Sequence, residues 1–284
     1  MPEITASEQK KDPYVPQLGI DYPSKLDEHM VKIKFTHERI LDENYPFLDK
    51  SFGFNLVRGL MYLVIFVFVF IISNVRFSLK IEGRKNLCIH KKLLKNGAMT
   101  VSNHIHRWDF LFVLQAVRYR SMYFPALSDN LNGPDENLVR LAGGIPIPRE
   151  IHLFKYFNTA FDEIHAKKKW IHAYPESSSF TFFQPIRPFK KGVFTLARRY
   201  NLPVLPLAFS YREPCFPYTL VNLIRSLTGY KKLPMITLRI GEPIVFDGTL
   251  PRKEAVQKMR KECHQAMVRL AGISDNPYPP EGDY

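Results

Sequence analysis

The stretch "GAMTVSNHIHRWDFLFVLQAVR", residues 97–118, decides the fold of this chain. Its first six residues form a short apolar segment that predicts a buried strand ending at Ser102. Its last eleven residues have the length of a helix. They carry an apolar stripe made of Phe110, Val113, Leu114 and Val117. A strand that leads directly into a helix is the repeating unit of an α/β sheet.

The same alternation continues along the chain. Strands are predicted within residues 121–127, 202–211 and 235–246, and residues 170–176 predict a strand that passes into a loop. Helices are predicted at residues 151–169, 191–200 and 253–270, the first and last with lysines that suit helix ends or a solvated face. The predicted fold is therefore α/β, a mixed sheet covered by helices and preceded by an N-terminal membrane-associated helical segment.

The 284 residues divide by composition into four segments. Residues 1–50 predict a polar N-terminal extension with some helical character at residues 25–41. Residues 51–76 are the apolar, membrane-associated segment. Residues 77–270 form the α/β domain, and residues 271–284 are predicted to be a flexible tail.

The apolar run "LMYLVIFVFVFII", residues 60–72, predicts membrane association. As a helix it is about 20 Å long, shorter than a hydrocarbon core of about 30 Å. A longer helix over residues 52–75 could span, but it then contains Asn55, Arg58, Ser73 and Asn74. A buried core element is the alternative, although the run is long for a strand and lacks the polar face of a soluble helix. Spanning, half-inserted and interfacial geometries all remain open.

The charge of the chain predicts anionic partners. Its formal net charge is +13, which favours nucleic acid, acidic lipid headgroups or phosphorylated small molecules. The basic residues are dispersed and match no nucleic-acid recognition motif, so nucleic acid is not an expected partner. Basic residues follow the apolar run closely, which predicts that the C-terminal part faces the cytoplasm. The three cysteines have neither zinc-site nor disulfide-framework spacing, in keeping with a reducing compartment.

The segment "SNHIHRWD", residues 102–109, permits three interpretations. His104 and His106 resemble a metal-binding pair, but Arg107 beside them disfavours a cation, and no metal is predicted. Asp109 can instead be an ordinary acidic residue in the first turn of a helix. In the third interpretation, the turn after the strand brings the carboxylate of Asp109 to one nitrogen of His104. The other nitrogen is then free to act as a general base.

This segment also resembles the first conserved block of the glycerolipid acyltransferase family, which includes the lysophosphatidate acyltransferases. "GGIPIPR", residues 143–149, resembles the second block, and "AYPESSS", residues 173–179, the third. "FKKGVFTLA" and "LPVLPLAF", residues 189–197 and 202–209, resemble the later segments. The resemblance covers residues 77–247, with the blocks in the family's order.

The resemblance implies an O-acyltransferase with no cofactor and with acyl-coenzyme A or acyl-carrier protein as co-substrate. Membrane lipids would be its other partners, and the oligomeric state is left open. It implies that His104 and Asp109 are catalytic. It also implies an acceptor site, formed by Arg149 of the second block with Gly144, Glu176, Ser177, Ser178 and Ser179.

One departure from the family pattern affects this interpretation. After Pro175 and Glu176 the family has Gly-Thr-Arg, whereas this chain has Ser177, Ser178 and Ser179. The arginine, whose planar fork suits phosphate, is missing. Arg149 alone, or residues such as Arg187, Lys190 and Lys191, would have to hold an anionic acceptor. A catalytically inactive lipid-binding or scaffold protein with the same fold is the alternative.

Overall fold

The computed structural model describes residues 12–30, 35–37 and 39–281 of the chain. Its centre is a seven-stranded sheet with the strand order β1-β7-β6-β2-β5-β3-β4. The strands are β1 (Lys80–Glu82), β2 (Met99–Ser102), β3 (Met122–Leu127), β4 (Gly144–Ile147), β5 (Trp170–Ala173), β6 (Val204–Arg212) and β7 (Met235–Ile240). Strands β2 to β6 run parallel to one another, while β7 is antiparallel to β6 and parallel to β1. The predicted mixed α/β sheet is confirmed.

The helices connect these strands and cover both faces of the sheet. They are α1 (Phe52–Phe70), α2 (Lys85–Ile89), α3 (Asp109–Ala116), α4 (Glu136–Ala142), α5 (Phe154–Ala166), α6 (Lys191–Arg199), α7 (Tyr218–Leu227) and α8 (Arg252–Ala271). One apolar core contains buried residues of α1 and α3, and a second contains those of α5, α6 and α8. This is the packing expected of a largely parallel sheet, which has to be covered on both sides.

The predicted elements recur with small shifts of their ends. The strand ending at Ser102 is confirmed, as are the helices in residues 108–118, 151–169, 191–200 and 253–270. Five further elements are not among those predicted: β1, β4, α2, α4 and α7. Helical character at residues 25–41 is not found in the described part of that range, while residues 31–34 and 38 lie outside the described residues.

Helix α1 lies along the domain over most of its length. Arg58 near its start donates to the carbonyl of Met122 (3.2 Å) and to the hydroxyl of Tyr123, and it lies over the Tyr123 ring. A π-helical segment (Ile71–Arg76) continues the helix, and Ser73 in it contacts Gln115 of α3. Ile65 and Val69, between these points, are buried. The opposite side exposes large apolar residues: Leu56, Leu60, Leu63, Val64, Val67 and Phe70.

The described residues before α1 run across the α/β domain. Tyr22 donates to the carbonyl of Thr181 (2.9 Å), and the carbonyl of Leu26 accepts from Ser178 (3.0 Å) and Arg187 (2.7 Å). Near the C-terminus, Asn276 forms two hydrogen bonds with the backbone of Ile186. Both ends of the described chain therefore contact the loop that follows β5.

Candidate active site

The turn after β2 is attached to the neighbouring strand by a single asparagine. The side chain of Asn103 donates to the carbonyl of Phe209 (3.2 Å) and accepts from its amide (2.8 Å). Asn103 is buried, so its side-chain amide needs hydrogen-bond partners within the protein, and these two bonds supply them. The turn is thereby fixed against β6 at the carboxyl edge of the parallel strands, where sites in α/β sheets gather.

His104 and Asp109 meet in this turn. Nδ1 of His104 lies 2.7 Å from Oδ2 of Asp109, the distance of a charge-assisted hydrogen bond. The His104 side chain is 23% exposed, whereas that of Asp109 is 1% exposed. Nε2 of His104 makes no hydrogen bond to any of the residues that the structure describes. The pair thus has the geometry in which a carboxylate orients an imidazole and leaves its second nitrogen available.

The carboxylate of Asp109 is fully supplied with donors. Besides His104, the amides of Ile105 (2.9 Å) and His106 (3.1 Å) donate to Oδ2. Burial alone would raise the pKa of Asp109, but His104 and these donors outweigh it, and the pKa is lowered. Asp109 is therefore a carboxylate at neutral pH and keeps the Nδ1 proton of His104 in place.

Tyr174 supports both members of the pair from the next strand. Its hydroxyl donates to Oδ1 of Asp109 (2.6 Å), and its ring stacks on the imidazole of His104 with the centroids 3.9 Å apart. Burial, together with Asp109, raises the pKa of Tyr174 well above its usual value, so it stays a donor. Tyr174 follows β5, which pairs with β2, and this places it beside the turn.

Glu176 links the turn to the following loop. It accepts from the amide of His104 through Oε2 (3.2 Å) and from the amide of Arg187 through Oε1 (2.9 Å). The Arg187 guanidinium pairs with Oε2 (2.9 Å), and both side chains are almost completely buried. Arg187 also packs over the Phe180 ring at 3.9 Å. This buried pair holds the backbone of the turn, and Arg187 is not open to solvent.

The three serines after Glu176 have different environments. Ser177 is partly exposed and has a φ of 66°, the left-handed region that favours glycine. Ser178 is buried, and its hydroxyl contacts Arg187 (2.6 Å) and the carbonyl of Leu26. Ser179 is partly exposed. Of the three, Ser177 and Ser179 are the ones that a bound molecule can reach.

The two predicted residues from the second block lie apart from the His104 pair. Arg149 follows β4 at the same edge of the sheet, but β4 is three strands from β2, about 14 Å between strand axes. Its side chain is 72% exposed and pairs with Asp129. Gly144 begins β4 at the opposite edge. A side chain there would meet Val139 at 2.6 Å, so the close approach of α4 explains its glycine.

His106 belongs to the apolar core beside the turn. Its ring packs against Phe77 (5.1 Å) and Phe182 (5.3 Å), and its Nδ1 accepts from the amide of Trp108 (3.2 Å). Burial lowers its pKa to about 4, so it is a neutral packing residue. Within residues 12–30, 35–37 and 39–281, no cluster of three or more His, Cys, Asp or Glu side chains is arranged to hold a metal ion.

Sequence reasoning missed Asn103 and Tyr174. Both flank a recognised motif: Asn103 directly precedes His104, and Tyr174 directly precedes Pro175 and Glu176. A polar residue immediately after a buried strand was the available signal, since the carboxyl ends of adjacent parallel strands meet at one edge. The sequence suggests Arg187 only as a replacement for the missing arginine, whereas in the structure it is buried and paired with Glu176.

These features place an oriented His104–Asp109 pair at the carboxyl edge of an α/β sheet. Residues 78–210 match the model of the family described as Acyltransferase, a range that contains His104, Asp109, Tyr174 and Glu176. The match identifies residues 78–210 as an acyltransferase domain, which agrees with the resemblance of the sequence motifs to the glycerolipid acyltransferases.

A solved structure shows the same fold. It is the 1-acyl-sn-glycerophosphate (LPA) acyltransferase PlsC from Thermotoga maritima, matched with a TM-score of 0.51 and 18% identity over 81% of this chain and 86% of that one. No match was found among curated protein sequences.

Proposed function

We propose that this protein transfers a fatty acyl group from an acyl thioester to a hydroxyl of a lysophospholipid or a related lipid. The thioester is carried by coenzyme A or acyl-carrier protein. The observation that carries the proposal is the 2.7 Å contact between His104 and Asp109, with Nε2 of His104 unoccupied at the edge of the sheet. The match of this segment to the acyltransferase family supports it.

The chemistry requires no enzyme nucleophile. Nε2 of His104 takes the proton of the acceptor hydroxyl while its oxygen attacks the thioester carbonyl. The carbon–sulfur bond then breaks, and the imidazolium returns the proton to the leaving thiolate. Asp109 holds the neutral tautomer before the transfer and stabilises the imidazolium during it. A general base contributes about 10²–10⁴-fold, and positioning of the two substrates supplies the remainder.

The acceptor headgroup is proposed to lie between His104 and the exposed Arg149. A phosphate there would replace Asp129 as the ion-pair partner of Arg149. Ser177 and Ser179 are the nearest partly exposed groups of the third block, and Glu176 acts on the turn through the amide of His104. Ser178 is occupied by Arg187 and Leu26, and Gly144 is at the far edge, so neither is proposed to contact the acceptor.

Membrane attachment is proposed to occur through the exposed side of α1, with the α/β domain in the cytoplasm. The continuous helix Phe52–Arg76 is long and apolar enough to cross a membrane by length and composition. However, Arg58 near one end and Ser73 near the other both contact the domain. A spanning orientation would break these contacts, so an interfacial orientation agrees better with them.

The test is to incubate the purified protein with labelled acyl-coenzyme A or acyl-carrier protein and a panel of lysolipids, and to identify the products by mass spectrometry. His104→Ala should reduce turnover at least about 10²-fold. The exposed His152, substituted in the same way, serves as the control and should retain activity. Binding of lysolipid without any product from the wild-type protein would favour the scaffold alternative and contradict the proposal.

A further inference from the structure

Helix α7 exposes an apolar surface that the domain does not use. The helix lies in the connection between β6 and β7. Its outward side chains, with those of its flanking loops, are Phe216, Leu220, Val221, Leu223, Ile224, Leu227 and Tyr230. Phe216 is 81% and Leu227 is 79% exposed. We refer to these seven residues as the α7 surface.

The orientation of α7 is the reverse of that of an ordinary surface helix. Its inward side is formed by Tyr218 and Asn222, which are buried. The Asn222 side chain donates to the carbonyl of Leu233 (2.9 Å) and accepts from its amide (2.9 Å). A helix covering an apolar core would turn its leucines inward and its asparagine outward. Here the polar residue fixes the helix, and the leucines face outward.

The α7 connection is attached to the sheet close to the end of the π-helical segment that continues α1. The end of the α1 segment leads to Phe77, whose carbonyl accepts from the amide of Ile236 at the start of β7 (3.0 Å). Arg212, at the end of β6, donates to the carbonyl of Ser78. The two ends of the α7 connection therefore join the sheet where the α1 segment ends. Ile71 and Val75, close to that end, are also exposed.

This attachment point lies at the edge of the sheet that carries His104. Strand β6 is parallel to β2 and pairs with it, so the end of β6 and the turn after β2 share the carboxyl edge. Strand β7 starts at the same edge because it is antiparallel to β6. A membrane in contact with α7 and with the exposed residues at the end of the α1 segment would thus lie at the edge of the sheet that carries the candidate active site.

Basic residues border the α7 surface. Lys231 and Lys232 follow the helix and are exposed, and Arg225 lies on the helix itself. Within residues 213–232 the only acidic residue is Glu213. An apolar surface with a basic border suits the boundary between acyl chains and anionic headgroups.

We propose that the α7 surface is a second membrane-contacting element, which inserts its apolar side chains into the headgroup region of an anionic lipid bilayer. The position of α7 beside the end of the α1 segment supports this through the membrane attachment proposed for α1. The exposed leucines and the basic border are independent of it. Two contacts, instead of one, would fix the orientation of the domain and hold the carboxyl edge of the sheet towards the lipid.

The first test measures the depth of a fluorescent label. Every variant is the full-length protein with Cys88→Ser and Cys215→Ser. Each of three variants then has one new cysteine, which replaces Leu227, Val67 of α1 or Val245. Val245 is an exposed apolar residue beyond the end of β7, at the opposite edge of the sheet. Each is labelled with nitrobenzoxadiazole and mixed with vesicles of phosphatidylcholine and phosphatidylglycerol in equal parts, containing nitroxide-labelled lipid.

The label at Leu227 should be quenched by the lipid nitroxide like that at Val67, while the label at Val245 should stay accessible to an aqueous quencher. Lipid quenching at Val67 but not at Leu227 would overturn the role of α7 and leave the α1 attachment standing. Quenching at neither would contradict both. Self-quenching of the Leu227 label without lipid would show that a second copy of the chain covers the surface, which also overturns the proposal.

A second test compares vesicle partition. Leu223→Asp and Leu227→Asp should each weaken partition by about tenfold, since each removes a buried leucine from the bilayer contact. Val245→Asp is the matched control and should leave partition unchanged. If Leu223→Asp and Leu227→Asp partition into vesicles as strongly as the control Val245→Asp, the proposal is contradicted. Because both tests measure binding, their outcome does not depend on acyl transfer.

Discussion

The hydroxyl of Tyr174 lies 2.6 Å from Oδ1 of Asp109, while His104 is bonded to the other oxygen of the same carboxylate. The tyrosine also stacks on the His104 ring. One side chain directly after β5 therefore holds both members of a pair that comes from the turn after β2. The contributions of the Tyr174 hydroxyl and of its ring can be measured separately by mutation.

Tyr174→Phe keeps the stacked ring and removes the hydrogen bond. A hydrogen bond to a charged group is worth about 1.5–3 kcal/mol, and loss of about 1.4 kcal/mol from transition-state stabilisation lowers the rate tenfold. We expect kcat to fall about tenfold with little change in KM. Tyr200→Phe is the matched control, because Tyr200 donates to Asp162 (2.7 Å) away from the site. Equal losses in both variants would contradict the positioning role.

The partly buried His106 predicts that stability falls as the pH is lowered. Burial lowers its pKa from 6.5 to about 4, so below pH 6.5 the unfolded chain binds a proton that the folded chain does not. Its contribution is fully present above pH 6.5 and is lost as the pH falls towards 4. Between pH 7 and pH 5 the free energy of unfolding should fall by up to about 2 kcal/mol from this residue.

Urea unfolding of His106→Phe at the two pH values measures this effect. The variant should show a smaller difference between pH 7 and pH 5 than the wild-type protein. Phe182→Leu perturbs the same aromatic contact without removing a titrating group, and it should lower stability by similar amounts at both pH values. An unchanged pH difference in His106→Phe would show that His106 is not the source.

The backbone of Ser177 predicts a stabilising substitution. A left-handed conformation costs a residue other than glycine about 1–2 kcal/mol. Glycine avoids this cost, but its greater conformational freedom in the unfolded chain offsets part of the stabilisation. Ser177→Gly should raise the free energy of unfolding by about 0.5–1 kcal/mol. Ser179→Gly, at a position without positive φ, should instead destabilise by about 0.5–1 kcal/mol. Chemical denaturation of both variants tests the sign of each effect.

The missing arginine predicts a change in acceptor preference. A serine at position 179 cannot form the bidentate, charge-assisted contact of an arginine, which is roughly twice as strong as a neutral one. Ser179→Arg should raise kcat/KM for lysophosphatidate relative to the native acceptor, by several-fold to about tenfold. Ser179→Lys, which adds the charge without the planar fork, should give a smaller gain. A wild-type enzyme that strongly prefers lysophosphatidate, and loses that preference in Arg149→Ala, would contradict this prediction.

The exposed side of α1 predicts how attachment can be weakened without unfolding the domain. Deleting residues 1–76 would also remove Ile65 and Val69 from the core. Val67→Asp with Phe68→Asp changes side chains that are exposed. A charge at apolar depth costs about 2.5–3.5 kcal/mol on the insertion scale, so a larger soluble fraction is expected after sedimentation. Wild-type protein that stays soluble without detergent would contradict the attachment.

Local sequence was sufficient for the elements that carry the His104 pair. The strand ending at Ser102 and the helix starting near Asp109 depend on residues close together in the chain. The turn between them is short enough to bring the two side chains into contact. The sequence also specified the exposed apolar run of α1, because composition alone marks a helix without a polar side.

Only the tertiary structure decided which distant residues complete the site. Tyr174 and Glu176 reach the turn because β5 lies next to β2, and strand order is set by non-local packing that no periodicity encodes. The same applies to the burial of Arg187 beneath Leu26, which removes it from the acceptor site. It also applies to the exposed leucines of α7. They point outward because Asn222 finds its hydrogen-bond partners in the backbone of Leu233, and a buried amide must be paired.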